Sequence, residues 1–176
     1  MPNTRETERR LLLVGKAKTK EFEQWQHGCD LSIKYGCTIV ELRRKMVSER
    51  FKLALVHCSE GKRLQALARP PYRAIVSRFY YVMYHAMRAV CLEFYQGDDY
   101  EKHSDLPTKV PSDFPSCDVW KNDLKNARLT RNAADYDPYP KSRAVWENDA
   151  SDLDVKAQQL LSATRGYLRG KGYTNL

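Results

Sequence analysis

The chain has 176 residues, 42% hydrophobic and 30% charged, which suits one domain of ordinary size with enough apolar residues for a core. The aliphatic run at residues 11–14 falls far short of the roughly 20 apolar residues that a bilayer span needs, and no charged-then-apolar leader opens the chain, so a cytoplasmic protein without a membrane segment is expected. Net charge is +8 and unevenly placed: residues 1–70 carry 15 Lys+Arg against 8 Asp+Glu, residues 71–176 carry 15 against 14.

Residues 1–37 are polar, with apolar islands at residues 11–14, Phe22 and Trp25. They read as a basic N-terminal arm with one or two short helices, Trp25 packing on the body or on a partner. Thr38-Ile39-Val40-Glu41 is a capping box that opens a helix. Ile39, Leu42, Met46, Leu53 and Val56 follow one face of it, Gly61 is a plausible stop, and Pro70-Pro71 ends any further turn. From Tyr72 to Tyr95 two apolar stripes run side by side. One is Ile75, Phe79, Val82, Ala86 and Ala89; the other is Val76, Tyr80, Met83, Met87 and Val90. A helix apolar on two adjacent faces is a central helix, and Gly97 fits its C-terminal cap.

Residues 98–115 hold Pro107, Pro111 and Pro115 among polar residues and are expected to form a long loop. Ser116 suits the N-cap of a third long helix that reaches Tyr136, where Pro138 and Pro140 break it. A last helix starts near Ser142. Its seam is Trp146, Ala150, Leu153, Ala157, Leu160, Thr164 and Tyr167, spaced 4, 3, 4, 3, 4, 3, and it stops at Gly170 and Gly172. No alternating strand pattern of useful length occurs. The expected fold is all-α: an antiparallel four- to five-helix bundle over residues 38–176 behind the arm of residues 1–37.

The chemistry begins with exclusions. The five cysteines, Cys29, Cys37, Cys58, Cys91 and Cys117, form no C-x-x-C pair and no zinc or disulfide framework, so reduced thiols are expected, with Cys58 and Cys91 as small core residues. No phosphate-binding glycine loop, nucleophile elbow or His-Glu-x-x-His occurs, and no His/Asp/Glu cluster suggests a metal. No cofactor is expected. Arg43, Arg44 and Lys45, with Arg50 and Lys52, make a basic cluster that attracts phosphates or is merely solvated. His85 reads as a satisfied core histidine, and His103 lies in the polar loop; His27 and His57 have no metal-ligand spacing with it.

The third helix holds the sharpest signal. Trp120, Leu124, Ala127, Arg131 and Ala134 share one face, so an arginine stands on a core-facing stripe. A guanidinium there needs a partner, or its face lines a cleft open to water and ligand. Asp135, four residues on, can pair with it, and Arg128 lies one turn earlier on the same side. Tyr136 and Tyr139, at the helix end, read as aromatic seals of the core or as chemical groups.

Two blocks resemble the HEPN family of small helical bundles from prokaryotic nucleotidyltransferase, toxin–antitoxin and phage-defence systems. One is Ser77-Arg78-Phe79-Tyr80-Tyr81-Val82-Met83-Tyr84-His85-Ala86-Met87-Arg88-Ala89, similar to the second core helix of that family. The other is Arg131-Asn132-Ala133-Ala134-Asp135-Tyr136, similar to its Arg-x-x-Ala-Asp-Tyr form. The likeness extends as a layout over residues 38–170. It implies a homodimer formed through the motif helix and metal-independent endoribonuclease activity, with RNA as partner beside an antitoxin, a nucleotidyltransferase or another defence protein. By the same likeness Arg131 stabilises charge on the scissile phosphate and Asn132 holds the RNA backbone. Arg128, Arg43, Arg44 and Lys45 are further candidate RNA contacts. Tyr136 stands where relatives carry a histidine, and a phenol of pKa about 10 is a poor base at cellular pH. Asp135 is then the substitute base. The alternative is a non-catalytic module that oligomerises and docks a partner protein or nucleic acid.

Overall fold

The computed structural model describes residues 4–98, 100–139 and 141–176. Among them are six α-helices, one 3-10 turn and no strand, so the all-α class is confirmed. The helices are α1 Thr4–Val14, α2 Thr19–Tyr35, α3 Ile39–Gln65, α4 Tyr72–Tyr95, α5 Cys117–Tyr136 and α6 Arg143–Gly170; the 3-10 turn is Leu106–Lys109. None of them is long and apolar enough to cross a membrane.

The chain divides into two compact units, Met1–Leu42 and Arg43–Leu176. The first holds α1, α2 and the start of α3, and none of its described side chains is buried. Leu11, Leu12, Leu13, Phe22 and Trp25 all stay exposed. α2 ends at Gly36, whose φ of 60° lets the Gly36 and Cys37 amides donate back to the Ile33 and Ser32 carbonyls. The Thr38 capping box forms as expected: Glu41 accepts from the Thr38 amide at 2.7 Å, and the Thr38 hydroxyl accepts from the Glu41 amide at 3.2 Å.

The second unit is organised around α4, in which every residue from 82 to 92 is buried. Its two apolar stripes need neighbours on both sides, and α5 and α6 supply them. α3 also lies against it. Gly61 does not stop α3 but permits that approach, since a Cβ there would come within 2.9 Å of the Phe79 ring. The expected core face of α3 is corrected by the structure. Ile39, Met46, Leu53 and Val56 are exposed, whereas Val47, Phe51, Ala54 and Gly61 are buried. Both sets obey helical spacing. The buried one sets a large aromatic beside small residues, so neighbouring helices can close on it; the other is flanked by Arg43, Lys45, Glu49 and Lys52.

The segment before α5 is less loop-like than its prolines suggest: Leu106, Val110 and Phe114 are buried around the 3-10 turn. Two helix boundaries and one burial differ from expectation. Ser116 occupies the N-cap position of α5 at φ 55° without a side-chain capping bond. The left-handed residue closing α4 is Gln96, not Gly97. Cys58 is half-buried, while Cys91 is fully buried as expected. Ser142 does cap α6, its hydroxyl accepting from the Val145 amide at 3.4 Å. The α6 seam is buried from Trp146 to Thr164, with Leu168 rather than Tyr167 completing it. Pro140 lies outside the described residues.

Candidate functional site

Opposite its two apolar stripes α4 carries a third face: Ser77, Tyr81, Tyr84, His85 and Arg88, spaced 4, 3, 1 and 3. Polar groups so deep in a core need partners. α3, α5 and the segment before the 3-10 turn bring them.

From α5 comes Arg131. Its Nε lies 2.7 Å from an Asp135 carboxylate oxygen, its Nη2 donates to the Tyr81 hydroxyl at 2.7 Å, and its Nη1 donates to the Asn132 side-chain oxygen at 3.2 Å. Its guanidinium also lies near the faces of Tyr80, Tyr81 and Tyr136. Burial works against its charge, but Tyr81, Asp135 and Tyr136 outweigh that and raise its pKa. The Ser77 hydroxyl donates to Asp135. Arg73 of α4 then fixes the end of the motif helix, donating to the Ala134 and Asp137 carbonyls at 2.5 and 3.1 Å. Of the two readings of this core-facing arginine, a partner or an open cleft, the geometry supplies the partner.

Arg128 is different. It has no ion pair and no hydrogen bond among the described residues, and its Nε is buried without a partner. It lies close enough to Tyr80 and His103 to act on their ionisation, as Arg131 does. A half-buried guanidinium with spare donors beside a second guanidinium is suited to an anion with several acceptor oxygens.

Three of the four histidines converge here. His57 of α3 stacks on His85 at 5.3 Å and on Tyr81 at 5.4 Å. Its Nδ1 lies between an Arg78 nitrogen at 3.3 Å and a Glu60 carboxylate oxygen at 3.5 Å. Arg78 also pairs with Glu60 at 3.0 Å. Burial, with the charge of Arg78, lowers the His57 pKa. His85 is 8% exposed and its Nδ1 has no partner, so it is not the satisfied core histidine expected. Burial, then the neighbouring His57, Arg50, Arg88 and His103, push its pKa down to about 3. His103 sits beside its loop neighbour Glu101. Its ring stacks on Tyr84 at 4.2 Å and 20°, and its Nδ1 shares a 2.5 Å hydrogen bond with the Tyr80 hydroxyl. The Tyr84 hydroxyl accepts from Arg88 and donates to the Glu101 carbonyl. Burial raises the Tyr80 pKa, so that phenol stays protonated at neutral pH.

The remaining sequence candidates are placed as follows. Tyr136 is 71% exposed and Tyr139 is exposed too, so neither seals the core. Asn132 is half-buried beside Arg131. Arg43 lies 3.8 Å from Glu93, and Arg44 donates to the Lys171 and Gly172 carbonyls while covering the Tyr173 ring at 4.2 Å. Lys45 is exposed. Glu93 is twelve residues beyond Tyr81, so this basic cluster engages α4 about 18 Å along its axis from the Arg131 site. Sequence reading missed Tyr80, Tyr81, Tyr84, His57 and Arg88 as site-forming groups. The signal that finds Tyr81, Tyr84 and Arg88 is the third face of α4, a polar stripe opposite the two apolar ones; Tyr80 lies within an apolar stripe and His57 on α3, and neither carries that signal.

No group of three or more His, Cys, Asp or Glu among the described residues is arranged to hold a metal ion. No protein-family model, curated protein or solved structure matches the chain.

Proposed function

We propose that this is a HEPN-like RNA-targeting protein of a prokaryotic defence or toxin–antitoxin system. It works as a homodimer of antiparallel helical bundles and cleaves RNA without a metal ion. The observation that carries this reading is Arg128, an arginine with unused donors, adjacent to Arg131 on the motif helix and to the His103 imidazole. RNA phosphates are the anions such a pair suits, and imidazoles supply the proton transfer that cleavage by a ribose 2′-hydroxyl needs. Asp135, ion-paired to Arg131 and bonded to Ser77, holds the arginine in place rather than acting as a free base. The resemblance of residues 77–89 and 131–136 to HEPN helices adds the reaction type and the homodimer.

A second reading, a non-catalytic module that oligomerises and docks a partner, is favoured by one observation: Met46, Leu53 and Val56 form an exposed apolar face on α3.

The deciding experiment incubates purified wild type and Arg131→Ala with total RNA and tRNA in EDTA, read on a denaturing gel. Cleavage by wild type alone supports the ribonuclease. Cleavage by a well-folded Arg131→Ala protein removes the motif arginine from the chemistry. No cleavage by either protein favours the docking module.

A further inference from the structure

We infer that His103, from outside the motif helix, is the general base of this site, with Tyr80 as its positioning residue. The inference rests on the ribonuclease reading above and names the group that this reading leaves open.

A base must be unengaged and within reach of ligand. Asp135 is taken by Arg131 and Ser77. Tyr136 offers a phenol, a poor base near neutrality. His57 has its Nδ1 occupied by Arg78, and His85 is too deeply buried to meet a ribose. His103 is half-exposed, with its ring fixed in two ways and no protein group on Nε2 among the described residues. The hydrogen bond between Nδ1 and the Tyr80 hydroxyl holds the ring; in the tautomer that acts as a base, Nδ1 donates to the phenol oxygen and the Nε2 lone pair is free. Tyr80 is itself buried in the second apolar stripe of α4, so it is a rigid anchor.

The step balances within the ligand. Nε2 takes the 2′-hydroxyl proton, O2′ forms a bond to phosphorus, and the bond from phosphorus to O5′ breaks. The products are a 2′,3′-cyclic phosphate and a 5′-hydroxyl. O5′ takes its proton from water, and the imidazolium returns its own to solvent. Arg128 and Arg131 face the charge that gathers on the phosphoryl oxygens. The groups around the imidazole are Tyr80, Tyr81, Tyr84, His85 and Arg88 from α4, Arg128 and Arg131 from α5, and Glu101 from its own loop. Burial, with Arg131, Arg88 and Arg128, holds the His103 pKa below its usual value, so the base form is present at pH 7.

The test measures tRNA cleavage in EDTA from pH 5 to 8 for wild type, His103→Gln, His103→Ala, Tyr80→Phe and Arg131→Ala. Affinity for a 2′-O-methyl RNA, which binds without reacting, is measured alongside. His103→Gln is expected to slow cleavage about 100-fold at pH 7 with the affinity unchanged. Free imidazole should restore activity to His103→Ala, a rescue that a purely structural histidine would not show. Tyr80→Phe should move the acid limb of the pH profile at constant affinity. Full activity in His103→Gln, with Arg131→Ala inactive, would overturn the role of His103 and leave the ribonuclease reading standing. A wild type that binds the RNA and cleaves none at any pH would overturn both.

Discussion

Two pairs of arginines lie in the second unit, and they are used differently. Arg43 and Arg44 belong to the densest run of positive charge, yet Arg43 faces a carboxylate, and Arg44 has two carbonyls and a tyrosine face. They tie α3 to the end of α4 and to the residues after α6. Arg128 and Arg131 lie in a stretch with a basic excess of only one charge, 15 Lys+Arg against 14 Asp+Glu over residues 71–176, yet Arg128 keeps its donors unused beside His103. A guanidinium is available for a ligand only to the extent that the fold leaves it unsatisfied. Local charge density does not measure that.

The comparison breaks most visibly at Arg131. Arg131→Ala should lower RNA cleavage about 100- to 1,000-fold, the loss typical of one preorganised charge donor. It also leaves Asp135 without its ion pair, so a drop in melting temperature should accompany it; Arg131→Lys should recover more stability than activity. A cleavage assay beside a thermal melt separates the two effects.

Arg44→Ala should show the opposite profile. It removes two hydrogen bonds and a cation–π contact, for a loss of about 1–2 kcal/mol in urea unfolding, with cleavage per folded molecule unchanged. A loss of RNA affinity larger than its loss of stability would return the basic cluster to the RNA surface.

Acid should weaken the fold through the imidazoles. His85 has a pKa of about 3 when folded and near 6.5 when unfolded. The unfolded chain therefore takes up the proton first, and stability falls as pH drops from about 6.5 towards 3, by on the order of 1 kcal/mol per pH unit. His57 and His103 are shifted in the same direction. Urea midpoints between pH 7 and 4.5 should fall less steeply for His85→Asn than for wild type.

The smallest effect is expected at Tyr136. Its hydroxyl is in solvent, so Tyr136→Phe should change stability by less than about 0.5 kcal/mol. Cleavage should hold as well, because the proton transfer is assigned elsewhere; a hundred-fold loss would restore Tyr136 as the chemical group.

How much of this was legible in the sequence follows from what periodicity measures. The apolar seams of α4, α5 and α6 were readable because α5 and α6 each bury one consistent stripe and α4 two adjacent ones, and the capping residues Thr38 and Ser142 mark real helix starts. The face of α3 was misread because two sets of residues satisfy the same spacing, and only packing against Phe79 and its neighbours chooses between them. Arg131 and Asp135 were readable as a pair because they lie four apart on one helix. The imidazole cluster was not, because His57, His85 and His103 are brought together by tertiary contact across three segments. The spare donors of Arg128 were equally invisible, since being unpaired is a property of the surroundings.

The most direct test is the salt dependence of binding to a 2′-O-methyl single-stranded RNA, measured by fluorescence anisotropy for wild type, Arg128→Ala and Arg44→Ala. If Arg128 is the open phosphate contact, its removal should weaken binding about 10-fold and reduce the slope of log K against log salt by about 0.7, while Arg44→Ala leaves the slope unchanged. Wild-type affinity and slope in Arg128→Ala would contradict the account.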